Sequence, residues 1–115
     1  MTDIVYKIMN TTLRDRFKAD RICAGAPVDL EDGFIHLSDG LQVEETARRH
    51  FAGQTDLVLL ALSSQALGEA LKWEPSRNGA LFPHLYRPMT WEDILWCKDL
   101  PLAENGLHDF SGLLT

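Results

Sequence analysis

The chain has little cysteine, no long apolar run and no excess of basic residues. Only two of its 115 residues are cysteine, which excludes a disulfide framework and a zinc site of paired cysteines. The longest wholly apolar run, Leu57 to Leu62, is six residues long, whereas a membrane-spanning helix needs about 18. Eleven basic against seventeen acidic residues give a net charge of −6. That charge disfavours a general binder of nucleic acid or of anionic membranes.

The motifs of several common enzyme classes are also missing. The sequence has no Gly-rich phosphate loop, no His-x-His or His-Glu-x-x-His pair and no Gly-x-Ser-x-Gly elbow. We therefore expect no metal site, no P-loop and no serine hydrolase of that type. Cys23 and Cys97 are expected to be reduced, mostly buried thiols. The sequence begins Met-Thr-Asp-Ile-Val-Tyr, with an acid where a secretory signal carries basic residues, so we expect a cytoplasmic protein.

What remains is the composition of a globular domain, 45% hydrophobic and 24% charged. A second domain would fall below the usual size, so residues 1–115 are predicted to form one domain, with a core over 3–102 and a C-terminal tail over 103–115. The periodicities predict an α+β fold. We expect a small twisted or split, mostly antiparallel sheet of about six short strands, with two or three short helices.

Strands are predicted at 3–9, 33–38, 57–62, 71–74, 81–86 and 94–98, with 57–62 central and buried on both faces. Helices are predicted at 11–18 and from Ser38 or Asp39, as the cap, to Phe51, and a short helical turn at 63–70. A turn is predicted at 76–79 and another at 90–93. Residues 19–32 show no period and are predicted to be a loop, with an extended piece at 27–30 as the alternative. Pro83 and Pro88 should confine strand 81–86 to an edge or an irregular path.

The segment 32–38 places polar residues where a fold alone would favour apolar ones. In a strand, Ile35 and Leu37 share one face, while Phe34, His36 and Ser38 share the other. If Ile35 and Leu37 face the core, His36 and Ser38 face a groove or solvent. An imidazole can exchange a proton near neutral pH, and its two nitrogens can hold a substrate oxygen and a partner at once. The alternatives are a structural histidine for His36 and a helix cap for Ser38.

Glu74 follows an aromatic residue at the end of a predicted strand and precedes a proline, which keeps it extended. Such a carboxylate can be a general base or can stabilise a cation forming at a sugar carbon. Arg77 is a candidate clamp for phosphate or carboxylate. The alternative is an ordinary Glu74–Arg77 surface pair, worth about 0.2–1 kcal/mol.

His84 and Tyr86 are two residues apart and therefore share a strand face, presenting an imidazole beside a phenol. The alternative for Tyr86 is a core tyrosine with a bonded hydroxyl. Three basic residues against one acid over 72–87 give a local charge of +2, which favours a small anionic ligand over a long polyanion. Arg87 belongs to this group. His50, on the apolar edge of its helix, is expected to be a core residue.

Five segments together resemble the bacterial family known as domain of unknown function 952. They are Ile4 to Ile8, Asp32 to Ser38, Val43 to Asp56, Leu71 to Glu74, and Phe82 to Tyr86. The resemblance covers nearly the whole chain, to about residue 102, and implies no particular reaction. A looser resemblance links the chain to the ADP-ribosyltransferase superfamily, whose split sheet binds NAD. It implies that Lys7 stands near that superfamily's first-strand position, 34–38 near the second motif and Glu74 near the late glutamate, with NAD as the implied cofactor. The superfamily's first-strand His-Gly-Thr is absent here.

The leading hypothesis is a small cytoplasmic enzyme that acts on a nucleotide-like or phosphorylated small molecule. Its acid/base candidates are His36, Glu74 and His84, and its substrate-binding candidates are Lys7, Ser38, Arg77, Tyr86 and Arg87. The strand assignments predict that His36, Glu74, His84 and Tyr86 converge on one concavity. The alternatives are a non-catalytic module that binds a small anion or nucleotide, and an interaction domain in which these motifs only hold the fold together.

Overall fold

The structure is a computed structural model that describes residues 3–76 and 79–114. Two short 3-10 helices, Gly68–Ala70 and Trp91–Asp93, accompany nine strands and four α-helices in the described chain. In chain order these are β1 (Ile4–Asn10), α1 (Thr11–Asp20), β2 (Ile22–Cys23), α2 (Pro27–Asp32), β3 (Ile35–His36), β4 (Ser38–Asp39), α3 (Val43–His50), β5 (Leu57–Ser63), α4 (Ser64–Leu67), β6 (Leu71–Pro75), β7 (Leu81–Leu85), β8 (Met89–Thr90) and β9 (Ile94–Leu100).

The strands form a four-stranded sheet in the order β4-β1-β5-β9, a three-stranded sheet in the order β3-β7-β6, and a β2-β8 ribbon. Every pairing among these strands is antiparallel. The predicted α+β fold with a split, mostly antiparallel sheet is therefore confirmed. The chain makes more strands than the six expected, because two-residue pairings such as β2, β4 and β8 are too short to show a period.

The core lies on both faces of the four-stranded sheet. Residues Leu57 to Leu62 of the central strand β5 are at most 3% exposed, which confirms the prediction that this strand is buried on both faces. Helices α1 and α4 cover one face, and α3 with the C-terminal segment covers the other. Strand β1 is likewise buried on both faces, because Val5 and Tyr6 are both buried on opposite sides of it.

Residues 19–32 are not a loop, which corrects the prediction for that segment. They contain β2 and the six-residue helix α2. Pro27 is the first residue of α2, where its missing N–H costs nothing. Gly33 ends the helix with φ of 85° and donates its N–H to the carbonyl of Asp29 at 2.9 Å. A helix of six residues is too short for an apolar period to be visible.

The predicted strand 33–38 is two strands in different sheets. Residues 35–36 pair with β7 and residues 38–39 pair with β1, so the chain crosses between the sheets at Leu37. Ile35 and Leu37 are 2% and 3% exposed, which confirms their core positions. Ser38 does not cap the next helix, which begins at Val43. Asp39 instead accepts the backbone N–H groups of residues 41 and 42 just before it.

Pro83 was expected on an edge strand or an irregular path, but β7 is the middle strand of its sheet. The carbonyl of Pro83 accepts the N–H of Leu37 at 3.0 Å, on the side of β7 that faces β3, which ends at His36. The N–H that Pro83 lacks would point to the same side as its carbonyl, toward Leu37. Because the pairing of β3 with β7 ends at His36, the missing N–H interrupts no hydrogen bond of that pairing.

The remaining elements agree with the expectations. The turn at 63–70 is α4 with a 3-10 helix, and residues 91–93 form a second 3-10 helix. Phe110 in the C-terminal segment is 9% exposed and packs into the core. Both cysteines are free thiols, Cys23 buried and Cys97 half-buried. The predicted turn at 76–79 lies partly outside the described residues. Among the described helices, none is long and apolar enough to cross a membrane.

Candidate functional site

A cleft of about 650 Å³ opens where the two sheets meet. Strand β1, the start of α2, the β3–β4 crossing, α3 and β7 all contribute to its walls. Its volume lies within the usual range for small-molecule sites, about 300–1,000 Å³. The walls combine apolar side chains with polar ones, the latter including Lys7, Asp32, His36, Ser38, Thr46 and His84.

The structure brings six of the predicted site residues together and leaves one apart. Those that line the cleft are Lys7, His36, Ser38 and His84. Two more do not line the cleft but connect to it: Glu74 is hydrogen-bonded to His84, and Tyr86 is hydrogen-bonded to Glu74. The residue whose contacts lie elsewhere is Arg87. Arg77 lies outside the described residues. The predicted convergence of His36, Glu74, His84 and Tyr86 is present, although only the two histidines reach the cleft itself.

Asp29, which the sequence analysis did not single out, is the buried centre of the polar wall. It is 1% exposed. Its carboxylate accepts Lys7 Nζ at 2.8 Å, the Ala26 N–H at 2.8 Å, and from His36 both the backbone N–H at 3.0 Å and Nδ1 at 2.6 Å. Burial raises the pKa of Asp29, but the charge and hydrogen bond of Lys7 and the His36 contacts outweigh it, so the pKa lies below its ordinary value. This buried carboxylate fixes β1, α2 and β3 to one another.

Two of the three N–H donors of Lys7 are used in contacts that hold the fold together. Lys7 is 6% exposed, and besides Asp29 it donates to the backbone carbonyl of His36 at 3.0 Å. An ammonium has three donors, and the third has no partner among the described residues. Lys7 therefore reaches the cleft as a cation whose charge is largely matched by Asp29.

His36 lies between two carboxylates. Its Nδ1 contacts the buried Asp29, and its Nε2 lies 2.9 Å from Oδ2 of Asp32, which is itself on the cleft wall. A neutral imidazole has one N–H, so only the protonated ring can donate to both carboxylates. The backbone of His36 is held as well, since its N–H and carbonyl bond Asp29 and Lys7.

His84 faces His36 across a strand pair. The two residues are in register on β3 and β7, and their ring centroids are 5.6 Å apart. Nδ1 of His84 lies 2.9 Å from Oε1 of Glu74. When the ring donates from Nδ1, Nε2 is left as the acceptor, and Nε2 has no hydrogen-bond partner in the part of the chain that the structure describes. The residue is only 6% exposed, and its ring stacks on Phe34 with the ring centroids 4.1 Å apart.

Glu74 orients the His84 ring from the side away from the cleft. Its Oε1 also accepts the Tyr86 hydroxyl at 2.6 Å. The Tyr86 hydrogen bond, followed by that of His84, lowers the pKa of Glu74 below its ordinary value, while the same carboxylate raises the pKa of Tyr86. The result is a carboxylate–imidazole pair in which one imidazole nitrogen has no partner among the described residues, an arrangement that orients a general base.

The remaining polar lining comes from β4 and α3. Ser38 is 4% exposed, and its Oγ lies 3.0 Å from Oγ1 of Thr46. His50 was expected in the core, but it is exposed and lines the cleft. It occupies the last position of α3, about two turns after the buried Val43.

Arg87, a predicted anion contact, makes a two-pronged ion pair with Asp93 at 2.8 and 3.1 Å. The Arg87 hydrogen bond lowers the pKa of Asp93, and Asp93 also accepts the Thr90 N–H. The pair closes the segment between β8 and β9. The local positive charge predicted over 72–87 is thereby reduced at this residue.

Gly25 makes room for Asp29, and this leads to a stability prediction. A Cβ at Gly25 would lie 2.6 Å from both Cβ and Oδ2 of Asp29, on a backbone with φ of 111°. Gly25→Ala should lower the free energy of unfolding by more than about 2 kcal/mol in denaturant titration. Gly33→Ala is the matched control, because its φ is 85° but nothing lies within 4 Å, so only the backbone cost of about 1–2 kcal/mol applies. Equal losses would contradict close packing at Asp29.

Within residues 3–76 and 79–114, no group of three or more His, Cys, Asp or Glu side chains could hold a metal ion.

Two solved structures are similar to the chain over nearly its full length. The crystal structure of protein CC0527 from Caulobacter crescentus is 48% identical, with a TM-score of 0.93, covering 96% of this chain and 97% of that one. The solution NMR structure of CC0527 is 48% identical, with a TM-score of 0.85 and coverage of 94% and 93%. Neither description names an activity, a nucleotide or an ADP-ribosyltransferase, so the comparisons do not support that part of the resemblance.

No functionally curated protein matches the chain. The sequence profile described as "Protein of unknown function (DUF952)" matches residues 8–97. Because this match spans most of the chain and includes β3, β6 and β7 with both histidines, the protein belongs to the DUF952 family.

Proposed function

We propose that the protein is a small enzyme in which His84 transfers a proton to or from a phosphorylated or nucleotide-like small molecule. The observation that carries this proposal is the Glu74–His84 pair, 2.9 Å apart, whose histidine lies on the wall of a cleft of about 650 Å³. Nε2 of this buried histidine has no hydrogen-bond partner within residues 3–76 and 79–114. A histidine that donates one N–H to a carboxylate still has a second nitrogen that can accept a hydrogen bond. Here the carboxylate fixes one nitrogen and leaves the other for a ligand.

The roles of the other residues follow from their contacts. His84 Nε2 would take the proton of an attacking water or hydroxyl, and Glu74 would keep the ring oriented and balance the charge it gains. His36 and Lys7 would stabilise an anionic oxygen of the substrate. Ser38 offers a hydroxyl to the cleft. Glu74 thereby becomes a positioning residue rather than a base that touches substrate, because it is separated from the cleft by His84.

The substrate class is supported by the size and composition of the cleft. Apolar walls formed by Ile8, Pro27 and Phe82 suit a flat ring or other apolar moiety, and the imidazoles and Lys7 suit an anionic group. NAD and ADP-ribose enter the proposal only through the resemblance to ADP-ribosyltransferases. A cytoplasmic site of action belongs to the same proposal, and the two free thiols support it.

A thermal-shift screen of the full chain with mononucleotides, NAD, ADP-ribose and sugar phosphates tests this proposal. A ligand present at a hundred times its dissociation constant adds about 2.7 kcal/mol of stability, which raises the melting temperature of a domain of this size by roughly 10 °C. The proposal expects at least one such ligand, consumed on incubation and with its shift reduced in His84→Gln. If none of these compounds shifts the melting temperature, the proposal fails.

The second candidate function is a non-catalytic binding module that uses the same cleft. The observation that favours it is that the charges within the site are already paired. Asp29 forms ion pairs with Lys7 and His36, and Asp32 forms one with His36. Saturable binding without any product, in a screen followed by chromatography of the ligand, would select this function over the enzyme.

A further inference from the structure

The two carboxylates that flank His36 are held very differently. The Asp29 side chain is fully buried and bonded to Lys7, Ala26 and His36. The Asp32 side chain is 44% exposed, and its contact with His36 Nε2 is its only hydrogen bond or ion pair to the described residues. Asp29 is therefore a permanent partner of His36, whereas Asp32 is held by one solvent-accessible contact, the kind that contributes little to stability.

Asp32 also occupies the position that a ligand would take. It lines the cleft together with Lys7 and His36. Its Oδ2 lies 2.9 Å from Nε2 of His36, so an anionic oxygen already makes an ion-pair contact with that nitrogen. Lys7 retains an N–H donor without a partner among the described residues, and Nζ lies 3.0 Å from the carbonyl of His36.

We propose that His36 Nε2 anchors an oxyanion subsite for a phosphate or carboxylate group, on a cleft wall that it shares with Lys7, and that Asp32 occupies this nitrogen as an internal substitute until a ligand displaces it. This inference rests on the proposed function and gives its substrate an anionic oxygen bound at His36. Binding costs the Asp32–His36 contact and returns the Asp32 carboxylate to solvent. Asp32 consequently lowers affinity for every anion and excludes those that bind His36 more weakly than it does.

The sequence provides a matched control on the same helix. Glu31 precedes Asp32, is exposed, and does not line the cleft. Asp32→Ala and Glu31→Ala remove the same charge from neighbouring positions, so they change the long-range field alike. Only Asp32→Ala uncovers His36 Nε2.

Isothermal titration of the full chain with inorganic phosphate, and separately with acetate, tests the subsite. Asp32→Ala should bind phosphate or acetate about tenfold more tightly than the unmodified protein, a change of one decade in the dissociation constant. Glu31→Ala should stay within about threefold, because exposed charges are screened at physiological salt. Adding His36→Gln to Asp32→Ala should remove the gain. Which of the two anions gains more identifies the ligand group as phosphate or carboxylate.

Equal gains in Asp32→Ala and Glu31→Ala would overturn the proposal, because the effect would then be one of net charge. Failure of both anions to bind Asp32→Ala with a dissociation constant of about 1 mM or tighter would overturn it as well. Asp32→Asn, which keeps the side-chain shape, is the second variant should Asp32→Ala melt early. The titration needs neither His84 nor turnover. A gain in anion binding without any turnover would leave the subsite standing and count against the enzyme alone.

Discussion

Asp29→Ala is expected to lower the free energy of unfolding by about 3–5 kcal/mol, the usual cost of removing one partner of a buried ion pair. The substitution leaves the Lys7 ammonium, 6% exposed, without its carboxylate. It also removes the acceptor for the Ala26 N–H and for both the backbone and the ring of His36. Chemical denaturation followed by circular dichroism measures the loss.

Two further variants separate this explanation from a general effect of losing an acid. Asp15→Ala removes a 71% exposed carboxylate that pairs with Arg14, and it should change stability by no more than about 0.5 kcal/mol. Lys7→Met should recover part of the loss when combined with Asp29→Ala, because it removes the unpaired buried cation. A loss below about 1 kcal/mol in Asp29→Ala would mean that the pair is solvated.

The same residue sets part of the acid stability. The pKa of Asp29 is lowered from its ordinary value of 3.8, so the unfolded chain binds this proton more readily than the native one. Its contribution is fully present above that ordinary value and is lost as the pH falls through the lower native value. Acid unfolding of Asp29→Ala should therefore lack this component of the pH dependence.

His84→Gln is expected to reduce kcat/KM for the substrate found in the ligand screen by roughly 10²–10⁴-fold, the usual contribution of a general base. Glutamine approximates the length of the imidazole without its proton chemistry, so stacking on Phe34 is partly kept. Glu74→Gln should reduce kcat/KM less, because the imidazole remains and only its orientation and charge balance are lost. Steady-state kinetics with each variant provides the comparison.

The control is His108→Gln, which removes a histidine outside the cleft whose Nε2 donates to the carbonyl of Gln54. Its kcat/KM should match that of the unmodified protein. The pKa of Glu74 is lowered from its ordinary value of 4.5, first by the Tyr86 hydrogen bond, so Glu74 stays ionised above that value. Any acid limb of the rate above about pH 5 should therefore survive in Glu74→Gln. Full activity in His84→Gln would contradict the assigned role.

The sequence predicted the elements whose signal is long and missed those whose signal is short. The run at 57–62 and the caps around 11–18 gave strands and helices that the structure contains. Helix α2 was missed because six residues hold less than two turns, although Pro27 at its start and Gly33 after its end mark both boundaries. Pro83 was assigned to an edge because its missing N–H was weighed without knowing where β3 ends.

The candidate site followed the same division. Alternation on two strands placed His36 and His84 on faces that meet, and strand pairing did bring them into register. Asp29 could not be found by this route, because it lies on the helix taken for a loop and its partners are 22 and 7 residues away. The sequence also did not indicate that Arg87 pairs with Asp93, because that contact depends on the conformation of the turn before β9. His50 was misplaced because helix periodicity alone does not show where a helix leaves the core.

A crystal structure of the chain with the best ligand from the thermal-shift screen tests the central claim most directly. The account predicts a ligand in the cleft between the two sheets, with a polar atom about 2.6–3.2 Å from Nε2 of His84. It also predicts an anionic oxygen on His36 where Asp32 now lies. A ligand bound instead in the pocket beside Leu107 and His108, with His84 untouched, would contradict it.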